Sequence, residues 1–272
     1  MTKVAEKEPL FTAWRHVAAT IEKAPRLLVL SDFDGTLSPI VDDPTTAALP
    51  PSTKLLLENL ARRDNVTFGV ISGRQLPDVV ARVAMPNIIC AGNHGLEIHG
   101  PSIRFTHPEA ERLRAILDEI HALIVPLLAK IPGVIVEQKG LSLTVHHRMA
   151  SGADIPEIRK GIREAVSVSK HHDQVRIVEG NKSNEIRSTV DWDKGDAILL
   201  VRSQLCGNDA RRILTVYLGD DHTDEDGFKV VRRLRGITVH IGAKENTTTA
   251  KYYLANQLQV QDFLSRLNDL LR

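Results

Sequence analysis

Short runs of consecutive apolar residues recur in the first third of this chain and again near its end, separated by stretches with helical spacing. Leu27-Leu28-Val29-Leu30, Val66-Thr67-Phe68-Gly69-Val70-Ile71 and Ile88-Ile89-Cys90-Ala91 are apolar at nearly every position. A strand reads that way when both faces of its sheet are covered. Between these runs, 52–63 places Leu55, Leu56 and Leu60 on one side, and 76–83 is helical in spacing. A further helix over about 10–23 precedes the first strand. Strands at 27–32, 66–71 and 88–91 that alternate with helices predict a parallel, doubly wound sheet.

After residue 108 the pattern changes. A long helix over 109–130 is followed by strands at 134–138 and 141–146, and the turn pair Lys139-Gly140 between them predicts a hairpin. Helix 155–168, a strand at 175–178 and one near 184–187 come next. Two strands after each of two helices make an α+β layer that interrupts the α/β pattern. Core spacing resumes with helix 195–205, strands 214–218 and 236–241, and a terminal helix over about 259–271. The expected architecture is therefore an α/β core, 1–108 with 189–272, into which an α+β cap, 109–188, is inserted. A cap hinged at two crossings could open to admit a substrate and close to exclude water.

Composition adds mainly exclusions. The 272 residues carry 35 Lys and Arg against 34 Asp and Glu, a net charge of +1. With no long basic run, neither nucleic acid nor a charged membrane surface is indicated as a partner. Cys90 and Cys206 stand alone without metal-ligand spacing, which fits a reducing cytoplasm better than a disulfide framework. The charged start, Met1-Thr2-Lys3-Val4-Ala5-Glu6-Lys7-Glu8, has no apolar core of signal-peptide length, and no apolar run is long enough to span a bilayer. A soluble cytoplasmic protein is expected.

The first apolar run ends in Ser31-Asp32-Phe33-Asp34-Gly35-Thr36. Residues two apart on a strand share a face, so Asp32 and Asp34 both reach the carboxyl end of the sheet, where open α/β sheets place their ligands. Two carboxylates so close resist joint ionisation unless a cation sits between them or one keeps its proton. A second buried strand ends in Gly219-Asp220-Asp221-His222-Thr223-Asp224-Glu225. Acids favour a helix N-terminus for dipole reasons, which accounts for Asp224 and Glu225. It does not account for acids at two strand ends, which together make an oxygen-rich pocket suited to Mg²⁺.

Asp-x-Asp-Gly-Thr after a hydrophobic strand resembles the nucleophile motif of the haloacid dehalogenase-like phosphohydrolases, whose core is a Rossmann-like sheet. The resemblance implies that Asp32 attacks phosphorus to give an aspartyl-phosphate, and that Asp34 protonates the leaving oxygen and then takes a proton from water. Ser72, in Ser72-Gly73-Arg74, resembles the family's phosphate-binding residue, and Arg74 is a candidate phosphate or cap contact. Lys194, in Asp193-Lys194-Gly195, resembles the lysine that steadies the phosphorylated aspartate, in preference to Lys182. Mg²⁺ is expected on Asp32, the backbone carbonyl of Asp34 and Asp220, with Asp221 acting through water or orienting the site and Asp224 a weaker candidate.

Within that superfamily the chain looks like the trehalose-6-phosphate phosphatases. The likeness rests on Ala91-Gly92-Asn93-His94-Gly95-Leu96-Glu97, on 137–148 from Glu137-Gln138-Lys139-Gly140 to His146-His147-Arg148, on Glu185-Ile186-Arg187 and Asp191-Trp192-Asp193-Lys194-Gly195, and on 219–225. It implies that Glu137, Lys139 and Glu185 grip sugar hydroxyls, with Asn93, His94 and His146 as further candidate contacts. Departures are Asn93 in place of the usual Ser, the polar Lys182-Ser183-Asn184 before Glu185, and Ser188 in place of Pro. The substrate implied is trehalose 6-phosphate, with functional coupling to a trehalose-6-phosphate synthase. Alternatives are sucrose-phosphate, a glucosyl- or mannosyl-glycerate phosphate, a phosphomutase reaction, or a catalytically silent sugar-phosphate sensor.

Overall fold

The apolar run that ends at Ser31 lies at the centre of a nine-stranded sheet in the computed structural model, which describes residues 7–180, 182–206, 212–244 and 247–272. The elements in chain order are β1 (Glu8–Pro9), α1 (Trp14–Glu22), β2 (Arg26–Ser31), α2 (Pro51–Ala61), β3 (Val66–Ile71), α3 (Leu76–Val83), β4 (Ile89–Gly92), β5 (Glu97–Gly100) and β6 (Ile103–Thr106). Then come α4 (Ala110–Leu128), β7 (Ile135–Gln138), β8 (Ser142–His146), α5 (Ile155–Val168), β9 (Val175–Gly180) and β10 (Ser183–Ser188). The chain closes with α6 (Lys194–Cys206), β11 (Ile213–Gly219), α7 (Asp224–Arg233), β12 (Ile237–Ile241), β13 (Tyr252–Leu254) and α8 (Gln257–Leu270).

The large sheet runs β1-β13-β12-β11-β2-β3-β4-β5-β6. Pairing is parallel from β1 through β4 and antiparallel between β4 and β5. The sheet is thus the parallel, doubly wound one that the sequence pattern predicts, with an antiparallel pairing added at the β4–β5 edge. Side-chain alternation along β2 explains its unbroken hydrophobicity. Leu27 and Val29 face a cluster built with Val17 and Ile21 of α1, Leu57 and Leu60 of α2, Val79 and Val83 of α3, and Phe263 of α8. Leu28 and Leu30 face the other side, with Ile198 and Val201 of α6 and Phe228 and Val231 of α7. Both faces are covered, so polar positions have no place along the strand.

The chain divides into two compact units. One joins the residues up to Phe105 with those from Trp192 onward, and the other is Thr106–Asp191. Phe105 and Trp192, at the two ends of the first unit's break, stack at 5.3 Å and 23°. The second unit has its own sheet, β7-β8-β10-β9, antiparallel throughout. Leu143, Val145 and Ile186 on one face pack with Leu117, Ile120 and Ile124 of α4 and Ile158 and Ile162 of α5. Among the described residues, no helix is long and apolar enough to cross a membrane.

Candidate active site

Strand ends bring the acids together. β2 and β11 are parallel neighbours with Leu218 opposite Ser31, so the residues that follow them, Asp32 and Asp220, leave the sheet side by side. The Asp32 N–H donates to Leu218 O at 2.9 Å and fixes the first turn of the loop. Gly35 holds φ +81°, and a Cβ there would collide with the carboxylate of Asp220. Glycine is needed at that point twice over, for the left-handed backbone and for the close approach.

Lys194, at the start of α6 and 2% exposed, is the hub of the site. Its Nζ donates to Asp32 Oδ1 at 2.7 Å and to Asp224 Oδ1 at 2.7 Å. The same Asp224 oxygen accepts from the Tyr217 hydroxyl at 2.5 Å, while Oδ2 accepts from the N–H groups of Asp220 (3.0 Å) and Asp221 (3.1 Å). Four donors therefore saturate a fully buried carboxylate. Sequence reasoning gave Asp224 a minor place and did not consider Tyr217. The spacing Gly-Asp-Asp-x-x-Asp was the available signal for Asp224, because a residue one helical turn on can fold back over the strand end.

Ligand oxygens of Asp32, Asp220 and Asp224 lie within 4.8 Å of one another. Asp220 also accepts from the Thr36 hydroxyl at 3.3 Å. Burial pushes the Asp32 carboxyl well above its ordinary range, opposed by Lys194 and reinforced by Asp224, Asp220 and Asp221. Burial and the charges of Asp224 and Asp221 bring Asp220 up to about 7. Lys194 stays protonated, because Asp224 and Asp32 outweigh the burial that disfavours its charge. Three carboxylates around one ammonium leave excess negative charge, and a hard divalent cation on the remaining oxygens of Asp32 and Asp220, beside the saturated Asp224, relieves it. The donor set therefore fits Mg²⁺. Asp221 Oδ1 accepts from the Thr223 N–H (2.8 Å) and hydroxyl (2.7 Å) in an exposed turn. Burial raises its pKa, but Lys194 and Thr223 prevail and hold it at about 2.

Asp34 and Arg74 form a pair. The Arg74 guanidinium grips Asp34 through both oxygens, Nε to Oδ2 at 2.6 Å and Nη2 to Oδ1 at 2.7 Å, and also bonds Asp78 and the Pro44 carbonyl. Arg74, the candidate phosphate or cap contact, thus forms a fork on the neighbouring carboxylate. Ser72 is 1% exposed at the end of β3, and its Oγ accepts from the Arg74 N–H at 3.2 Å. Asn93 and His94 follow β4 with positive φ (51° and 58°). Asn93 donates its amide to Glu97 at 2.9 Å, and the His94 ring lies over Gly73, next to Ser72.

In the Thr106–Asp191 unit, Glu137 on β7 and Glu185 on β10 are both register partners of Thr144 on β8. They therefore share one face of the sheet, opposite the face that packs on the helices. Glu137 Oε2 accepts from His146 Nε2 at 2.7 Å and lies 3.6 Å from Lys139 Nζ. Burial raises the Glu137 pKa, yet His146 and Lys139 hold it below the ordinary carboxylate value. Glu185 lies 3.9 Å from the Arg187 guanidinium. Lys182 takes the turn between β9 and β10 at φ 55°.

Residues 30–257 match the family model described as Trehalose-phosphatase. A trehalose-phosphate phosphatase of Mycobacterium tuberculosis is 36% identical over 90% of this chain, which spans 62% of that protein's length. A probable trehalose-phosphate phosphatase of Oryza sativa subsp. japonica is 30% identical, covering 96% of this chain and 75% of its own. The C-terminal domain of a C. albicans trehalose-6-phosphate phosphatase superposes with a TM-score of 0.78 at 22% identity, over 94% of this chain and 96% of that one, which establishes the fold. With its two acid-bearing strand ends and buried lysine inside the matched span, the chain belongs to the trehalose-phosphatase family.

Proposed function

We propose that this chain hydrolyses trehalose 6-phosphate to trehalose and phosphate through an aspartyl-phosphate on Asp32. The observation that carries the reading is the Lys194 ammonium, 2.7 Å from Asp32 Oδ1 and anchored from behind by Asp224. It leaves one Asp32 oxygen for attack and places positive charge where an acyl phosphate forms. Mg²⁺ would be held by Asp32 and Asp220, with Asp224 beside them, and supplies charge neutralisation for the phosphoryl oxygens. Ser72, at the end of the neighbouring strand, receives a phosphate oxygen through its hydroxyl. Asp34 acts as proton donor to the departing sugar oxygen. Both of its oxygens are gripped by Arg74 at rest, so it takes up this role on leaving the fork.

The Thr106–Asp191 unit serves as the specificity cap, with Glu137, Lys139 and Glu185 on sugar hydroxyls. Carboxylates accept from hydroxyls and an ammonium donates to them, so the set suits an unmodified sugar ring. The test is phosphate release, with Mg²⁺ and with EDTA, from trehalose 6-phosphate, sucrose 6-phosphate, glucose 6-phosphate and glucosylglycerate phosphate. Strong preference for the first, lost on chelation, is the expected result. Preference for another ester moves the sugar assignment and keeps the chemistry. Silence on all four by folded protein refutes the catalytic reading.

A further inference from the structure

Thr144 lies between Glu137 and Glu185, in register with both. Adjacent strands are about 4.8 Å apart, so the two carboxylates leave the backbone roughly 10 Å apart with a hydroxyl midway. Ser142, two residues back along β8, shares this face and is the register partner of Arg187. Ser142 is 3% exposed and Thr144 is 4% exposed. Among the described residues, Ser142 Oγ, Thr144 Oγ1 and Arg187 Nε have no hydrogen-bond partner.

Buried polar atoms left without partners cost stability, and proteins rarely keep them without a reason. The fold does not ask for these hydroxyls. Valine has the shape of threonine and suits the centre of a sheet at least as well. Three orphaned polar atoms on one face, Thr144's midway between two carboxylates and those of Ser142 and Arg187 in the next register pair on that face, match a ligand rather than a packing need. A pyranose with three adjacent hydroxyls offers a complementary row. Glu137 and Glu185 can accept from the outer two, since a carboxylate has about four lone-pair sites and His146 and Lys139 occupy only part of Glu137's.

We propose that Thr144 is a specificity-determining residue whose Oγ1 hydrogen-bonds the middle hydroxyl of three on the unphosphorylated sugar ring, with Ser142 and Arg187 extending the same polar floor. This rests on the reading of the Thr106–Asp191 unit as a sugar-specificity cap. The logic separates function from folding. Replacing an orphaned hydroxyl by a methyl of the same shape relieves the free protein and deprives the ligand.

The experiment compares wild type with Thr144→Val and Thr144→Ser in the full chain, measuring Tm without substrate and KM and kcat for trehalose 6-phosphate and p-nitrophenyl phosphate. Thr144→Val is expected to keep or raise Tm, to raise KM for trehalose 6-phosphate about tenfold, and to leave p-nitrophenyl phosphate unaffected. Thr144→Ser, which retains the hydroxyl, is expected to restore KM to near wild type. An unchanged KM in Thr144→Val overturns the proposal. So does a clear fall in Tm, which would mean that the hydroxyl serves the free fold. Wild type that does not prefer trehalose 6-phosphate over glucose 6-phosphate removes the underlying reading itself, a failure visible before any variant is made.

Discussion

Tyr217→Phe is a small change with a calculable effect. The variant keeps the ring that packs against Phe228 and removes only the hydroxyl that donates to Asp224 at 2.5 Å. Burial and the adjacent Asp224 charge hold the Tyr217 pKa well above its usual value, so it is a neutral donor throughout the physiological range. A hydrogen bond to a buried charge contributes about 1.5–3 kcal/mol. At roughly 2–4 °C per kcal/mol for a unit of this size, Tm falls by about 3–12 °C. Asp224 Oδ1 then has Lys194 as its only donor among those described, and the ammonium is drawn toward it and away from Asp32. If about 1.4 kcal/mol of that lost bond reappears in the barrier, kcat falls about tenfold. KM should hold for both trehalose 6-phosphate and p-nitrophenyl phosphate, since the hydroxyl lies behind the lysine. Steady-state kinetics and a thermal melt on the same preparation decide the matter. A lowered Tm with unchanged kcat would show that Tyr217 supports the fold alone and would refute the coupling argued here.

Three further outcomes are expected. Asp32→Asn should abolish phosphate release while circular dichroism and Tm stay near wild type, and retained turnover would exclude Asp32 as nucleophile. Gly35→Ala meets both a φ of +81° and the Asp220 carboxylate, so it should weaken Mg²⁺ activation by tenfold or more, read as the Mg²⁺ concentration for half-maximal rate. Glu137 has a folded-state pKa below its unfolded value near 4.3, so its stabilisation is complete above that value and lost as pH falls through the lower one. The side chain is 40% exposed, which limits the effect to less than about 1 kcal/mol. The urea midpoint of wild type should accordingly fall slightly more than that of Glu137→Gln between pH 6 and pH 3, and parallel curves would deny the ion pair any role.

How much could be read without coordinates depended on burial. β2, β3 and β11 are covered on both faces, so their apolar runs stand out, and the acids that end β2 and β11 mark the site. β5 and β6 lie at the sheet edge, where Glu97-Ile98-His99-Gly100 and Ile103-Arg104-Phe105-Thr106 are short and partly exposed. Their pattern is diluted by polar residues and broken by Gly100-Pro101, and the antiparallel edge was not foreseen. The three-residue β13 is too short to carry a period. Side-chain partnerships were hardest to read. Arg74 is 40 residues from Asp34, and nothing local distinguishes a fork on a carboxylate from one on a phosphate. Asp224 resembles an ordinary first-turn helix acid, and only the fold turns its carboxylate inward to meet Tyr217 and Lys194. On β8, Thr144's place between Glu137 and Glu185 is a matter of register across three strands.

The order of the central strands has a consequence for how the chain is made. β2 is hydrogen-bonded on one side by β3, synthesised soon after it, and on the other by β11, which begins at Ile213. At about 5–20 residues per second, a ribosome needs roughly ten seconds or more to travel from one to the other. During that interval Leu27-Leu28-Val29-Leu30 presents an unpaired apolar edge, the kind of surface that invites association with other chains. The intervening unit, contiguous from Thr106 to Asp191, can meanwhile close its own sheet from nearby segments. Asp32 is translated early, whereas Lys194 and Asp224 arrive from beyond the insertion. The acid and lysine cluster is therefore complete only once residue 224 has been made, and a nascent chain stalled before Lys194 carries Asp32, the proposed nucleophile, without the charges proposed to serve it.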